Sequence, residues 1–152
     1  MRLVASLLVA GLGAPFVISN GAPSGPQPKV AVDTTIVLHT TSSSMEFDPP
    51  AIAVKQGKRV LLRFMNTGTL PHNLVLVRNE DDIDDLAAAA TKVMGDFIPV
   101  AQKAKMIAHT TLASPGQTVE VTFVVPPPGE YTYVCLMTGH ANTMIGKLRS
   151  LR

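Results

Sequence analysis

The chain has 152 residues, the length of one ordinary domain. Charged residues make up 16% and apolar residues 46%, which excludes a disordered acidic or basic tail protein. Thirteen Lys+Arg stand against eleven Asp+Glu for a net charge of +2, and the basic residues are scattered rather than striped, so no nucleic-acid footprint is present. A single cysteine excludes an intrachain disulfide framework, a four-cysteine zinc site and a Cys-x-x-Cys redox pair.

Met1-Arg2 precedes an apolar run from Leu3 to Ile18, followed by Ser19-Asn20-Gly21-Ala22-Pro23. A positive start, an apolar stretch and small residues predict a secretory signal peptide over residues 1–20. The run falls short of the roughly 20 residues that span a bilayer comfortably, though an uncleaved N-terminal anchor is the alternative. The Pro- and Gly-rich stretch 21–28 reads as a linker, so the folded domain is expected over residues 29–152 and outside the cytoplasm, in a periplasm for example.

From there on, period-2 patterns and short apolar runs broken by Gly, Pro and Asn predict an all-β fold, a Greek-key sandwich of seven or eight strands. Thr35 to Thr40 is a first strand. Phe47 to Val54 is interrupted by Pro49-Pro50, which confines it to an edge or a bend. Arg59 to Met65 alternates, and His72 to Val77 is a nearly continuous apolar run expected of a buried strand. Residues 81–95 differ. Ile83, Leu86, Ala87, Ala90, Val93 and Met94 recur at helical spacing, with Glu80, Asp81, Asp82, Asp84 and Asp85 near the start and Gly95 as the stop. The acidic cluster lacks the ligand order of a calcium loop and reads as a solvated helix start. Met106 to Thr110, Gln117 to Val125 and Tyr131 to Met137 are further strands. Gly146 to Arg152, with Lys147 and Arg149 alternating with Leu148, is predicted at an edge or surface.

The chemistry concentrates in the segment from Tyr131 to Met144. Cys135 ends a strand, and His140 and Met144 follow in a Gly-containing loop able to fold back so that thiolate, imidazole and thioether face one point. His72 opens a strand far upstream, where only the fold can bring it near. Two imidazoles and a thiolate with a weak axial Met describe an electron-transfer copper site. Soft sulfur favours Cu(I), imidazole accepts both oxidation states, and a distant thioether does not enforce the tetragonal shape of Cu(II).

The order Cys135, His140, Met144 resembles the copper loop of the azurins, within the cupredoxins. His72-Asn73 is similar to that family's first ligand and the asparagine after it, and Met106-Ile107-Ala108-His109-Thr110 to the strand before its last hairpin. Glu80 to Gly95, followed by Asp96-Phe97-Ile98-Pro99, resembles the helical flap of the auracyanins. The resemblance implies His72, Cys135, His140 and Met144 as ligands of one type 1 copper, with the Pro71 carbonyl as a further axial donor. It also implies that Asn73 hydrogen-bonds the ligand loop and that Tyr131 is a tyrosine-corner residue. The azurins' disulfide near the N-terminus is impossible here, with one cysteine.

His39 and His109 lack a second donor nearby and read as surface or packed histidines; Met45, Met65, Met94 and Met106 read as core fillers. Val134 and Leu136 flank Cys135 where a multicopper oxidase needs histidines, and no GxSxG, phosphate loop or His-Glu-x-x-His is present, so an enzyme is not expected. The expected function is a monomeric electron carrier meeting redox proteins such as cytochromes transiently, through an apolar patch at the His140 edge that includes Leu70, Met137 and Ala141. Copper storage or delivery is the runner-up, and a metal-free adhesion sandwich the third reading.

Overall fold

The computed structural model describes residues 31–41 and 45–152. The leader expected over residues 1–20 and the linker over 21–28 lie outside the described residues. No helix among the described residues is long and apolar enough to cross a membrane.

Two sheets face each other. The first has the order β2-β1-β4-β7, from β1 (Thr34–Thr40), β2 (Phe47–Asp48), β4 (Arg59–Met65) and β7 (Thr118–Val124). The second has the order β3-β9-β8-β5-β6, from β3 (Ala51–Lys55), β5 (Val75–Val77), β6 (Met106–His109), β8 (Gly129–Val134) and β9 (Ile145–Leu151). The Pro49-Pro50 step, with a cis Asp48–Pro49 bond, carries the chain from the edge of one sheet to the edge of the other. Neither proline is asked to donate to an interior ladder there.

Alternation along the strands builds the core between the sheets. Leu38, Val60, Leu62, Phe64 and Phe123 of the first sheet meet Leu76, Tyr133 and Leu148 of the second. Phe47 sits at the centre of this packing, edge-on to Phe64 and Tyr133 at ring separations of 5.6 and 5.1 Å. The opposite face of the second sheet is covered as well. Val75, Val77 and Val134 pack beneath α1 (Ile83–Ala90), which buries Ile83, Leu86 and Ala90. β5 is therefore buried on both faces, which is why its sequence is continuously apolar.

Several expectations need correction. The described residues hold nine strands, because the prolines split Phe47 to Val54 in two. The helical flap is a 3-10 turn (Glu80–Asp82) followed by α1, and α1 stops five residues before Gly95, although Gly95 does adopt a φ of +86°. Met94, read as part of the apolar stripe and as a core filler, is 95% exposed. Met45 and Met65 also stand out to solvent, whereas Met106 is buried. The strand from 145 to 151 lies inside its sheet, between β3 and β8. Its charges alternate because its outer face is in water, and that face exists at the centre of a sheet as well as at an edge. Three of the helix-start carboxylates are ion-paired: Lys105 reaches Asp82 and Asp85 at 2.9 Å each, and Lys147 reaches Glu80 at 2.8 Å.

Candidate metal centre

The loop that follows β8 is a continuation of its ladder with β9. Val134 pairs with Ile145, and the Cys135 amide donates to the Met144 carbonyl at 3.1 Å, adding one rung. Residues opposite each other on an antiparallel ladder point to one face, so Cys135 and Met144 both join the core between the sheets, each fully buried. Between them the chain makes a tight helical turn. The His140 amide donates to the Met137 carbonyl at 2.9 Å, and the amides of Thr143 and Met144 donate to the His140 carbonyl at 3.0 and 2.8 Å. Gly139, at φ +84°, supplies the left-handed step that starts this turn.

His72 does not open β5 as expected. It forms an isolated bridge with Ala113, exchanging hydrogen bonds of 3.0 and 2.8 Å, and β5 begins at Val75. The antiparallel pairing of β5 with β8, Val75 opposite Val134, brings this stretch beside Cys135. The Cys135 sulfur lies 3.8 Å from His72 Nδ1 and 3.6 Å from His140 Nδ1, and the three donor atoms lie within 4.8 Å of one another. The imidazoles are tilted by 42° at a centroid separation of 5.0 Å. His72 and His140 are 3% and 6% exposed. His39 instead faces Asp48 at 3.7 Å on the surface, and the His109 ring reaches only its neighbour's carbonyl. Pro71, half-buried, adjoins His72 in the chain.

Burial sets the protonation states. It pushes the Cys135 thiol upward, opposed by the amides of Asn73 and Met137, which donate to its sulfur. Burial, together with the neighbouring His140, lowers His72 to about 4, and burial lowers His140. Both imidazoles are therefore neutral at neutral pH, with lone pairs free for a cation, and a metal taken up by the thiol displaces its proton.

Asn73 holds the loop as expected: its Oδ1 accepts from the Leu136 amide at 2.8 Å and its Nδ2 donates to the Asp96 carbonyl at 2.7 Å. The Tyr131 hydroxyl donates to the Pro127 carbonyl at 2.9 Å, the corner its position implied. Sequence reasoning missed Asn66. Buried and 1% exposed, it donates to the carbonyls of Leu70 and Ala113 at 2.7 and 2.8 Å, and its Oδ1 accepts from the Gly68 amide at 3.0 Å. It thereby joins the loop before His72 to the residue that pairs with His72. The Asn-x-Gly signal was legible as an Asx turn, but its reach to Ala113 was not.

Of the apolar patch, Leu70 is exposed at 46% and Met137 is half-buried, but Ala141 is buried beneath the loop. A groove of about 220 Å3 runs between this loop and the outer side of α1, lined by Ala87, Ala88, Thr91, Met137 and Gly139 among others. Asp84 is its one charged residue.

The donor set suits a soft or borderline cation. A metal–thiolate bond of about 2.3 Å and a metal–imidazole bond of about 2.0–2.1 Å hold their donors about 3.5–3.6 Å apart at a tetrahedral angle and about 3.7–3.8 Å apart at a trigonal one. The observed separations of 3.6 and 3.8 Å lie in this range. Nitrogen and sulfur donors without a carboxylate among them fit copper.

Comparison with known proteins gives the same answer. Residues 34–149 match the copper binding proteins of the plastocyanin/azurin family. The chain is 35% identical to auracyanin-A of Chloroflexus aurantiacus over 75% of its length and 72% of that protein's. It is 34% identical to a plastocyanin of a Synechococcus species, over 96% of its length and 88% of that protein's. The structure of auracyanin A, described as a blue copper protein, superposes with a TM-score of 0.73 at 34% identity, covering 77% of this chain and 98% of that one. With a matching fold, a matching length and a preformed His-Cys-His cluster, the chain belongs to the plastocyanin/azurin family of copper-binding proteins, the cupredoxins, and its cofactor is copper.

Proposed function

We propose that this protein is an extracytoplasmic electron carrier, not an enzyme, in which His72, Cys135, His140 and Met144 hold one type 1 copper and the Pro71 carbonyl is a further weak donor. The observation that carries this reading is the convergence of three buried donors from two distant segments within 4.8 Å. Copper there supplies a one-electron Cu(II)/Cu(I) couple. The chain's part is to hold its donors still. Cys135 and Met144 are fixed by the β8–β9 ladder, His140 by the turn between them, and His72 by its bridge to Ala113. A ligand set that cannot relax costs little rearrangement when the electron arrives.

His140 is the donor nearest to solvent, on the loop that also lines the groove beside α1. Partners are redox proteins, cytochromes among them, that meet this edge transiently through Leu70 and Met137, with Asp84 favouring a basic residue on the approaching face. Storage or delivery fits less well, because exchange requires exposed donors and these are 0 to 6% exposed. The leader pattern of residues 1–20 supports export, which fractionation of cells expressing the full chain tests.

The ligand assignment is tested by substitution. Cys135→Ser is expected to abolish the intense visible thiolate-to-copper absorption, while Met144→Leu keeps it and changes the reduction potential. A blue band that persists in the serine variant refutes the assignment.

A further inference from the structure

Asp96 lies beyond α1, exposed, and touches none of the donors. Its surroundings are nonetheless specific. Phe97, the next residue, has a φ of 56°, a region disfavoured for a bulky side chain. Phe97 is kept there by its packing against the cluster beneath α1. The peptide between the two residues is thus held in place from one end.

From this position Asp96 makes two hydrogen bonds to different segments of the chain. Its main-chain carbonyl accepts from Asn73 Nδ2 at 2.7 Å, and its carboxylate Oδ1 accepts from the Leu112 amide at 2.9 Å. Asn73 follows His72, and Leu112 precedes Ala113, the residue with which His72 exchanges its two main-chain bonds. One residue therefore grips both sides of the bridge that carries the first imidazole.

The hold extends to the thiolate. A side-chain amide has one donor end and one acceptor end, and a flip would exchange them. With Nδ2 committed to the Asp96 carbonyl, Oδ1 of Asn73 is directed at the Leu136 amide, next to Cys135. The Asn73 main-chain amide itself donates to the Cys135 sulfur.

We propose that Asp96 is a positioning residue for the metal centre, clasping the His72 bridge through Leu112 and orienting Asn73 toward the cysteine loop. The proposal rests on the reading that these donors hold copper, but its first test does not. In the metal-free full chain, Asp96→Ala removes the acceptor of the Leu112 amide and with it the side-chain tether of the peptide whose carbonyl holds Asn73, so it is expected to speed amide hydrogen exchange at Leu112, Ala113 and Leu136 by about tenfold or more. Asp96→Asn keeps the Oδ1 acceptor and is expected to stay within about twofold of the unsubstituted protein. In the copper-loaded protein, the alanine variant is expected to shift the visible band and the reduction potential and to lose copper to a chelator about tenfold faster, and the asparagine variant to restore all three.

Three results would overturn the proposal. Unchanged exchange and spectrum in both variants would make the clasp idle. An asparagine variant as altered as the alanine one would assign the effect to charge. A lowered melting temperature with unaltered exchange at Leu136 and an unaltered band would leave a loop contact only. Failure of the unsubstituted chain to take up copper stoichiometrically overturns the electron-carrier reading instead, and the exchange measurement still decides the role of Asp96.

Discussion

Asn66 and His72 show how much a single side chain can decide near this centre. The Asn66 amide is buried and serves two carbonyls from loops on either side of the bridge. Truncation to alanine takes the side-chain donor from the Leu70 carbonyl and leaves the Ala113 carbonyl with the His72 amide alone, so Asn66→Ala is expected to lower stability by about 2–4 kcal/mol, measured by denaturant unfolding of the metal-free protein. His72 gives a pH dependence whose sign follows from its burial. Its pKa falls from 6.5 to about 4 on folding, so between these values the unfolded chain binds more protons than the folded one. Stability of the metal-free protein is therefore full above pH 6.5 and is lost as the pH falls toward about 4, the direction to which His140 also contributes. Unfolding curves taken across that window should show a steadily falling midpoint. A midpoint that rises on acidification contradicts it.

At the scale of elements, β8 and β9 do two tasks at once. Their ladder forms the middle of the second sheet, and its last rung sets Cys135 opposite Met144. The pairing depends on a glycine. Gly146 faces Tyr133, whose ring lies over it, and a Cβ at 146 would overlap that ring. Tyr133 has little room to yield, because it is buried against Phe47 and its hydroxyl donates to the Pro49 carbonyl at 2.9 Å. Gly146→Ala is accordingly expected to cost about 3 kcal/mol or more and to disturb the visible band, since the displaced rung adjoins the ligand loop. The α1 element behaves differently. Leu86, fully buried beneath it, is expected to cost about 2–5 kcal/mol on substitution by alanine. Its cluster lies on the far side of the second sheet from Met144, so Leu86→Ala should keep the blue band below its melting temperature.

For the whole molecule, the fold is carried by two sheets and two apolar clusters, and the donors sit where the sheets end. Cys135 and Met144 belong to the main cluster, beside more than a dozen other side chains. Removing copper with a chelator should leave the β-sheet circular dichroism intact at room temperature and lower the melting temperature, as loss of any ligand that binds the folded state does. A chain that unfolds on chelation would mean that the metal, not the sandwich, organises the loops.

What the sequence determined by itself is what lies close along the chain. The Cys135, His140 and Met144 spacing is legible because one loop between two paired strands holds all three, and strand alternation was legible because one face of each sheet is dry. Tertiary structure decided the rest. His72 stands 63 residues from Cys135 and reaches it only through the β5–β8 pairing. Gly146 to Arg152 read as an edge or surface strand because alternating charge reports a wet face and is blind to neighbours on either side. Met94 followed helical spacing, yet α1 ends at Ala90 and leaves Met94 95% exposed. Local spacing reports which way a side chain faces, and only the assembled sheets determine what it meets there.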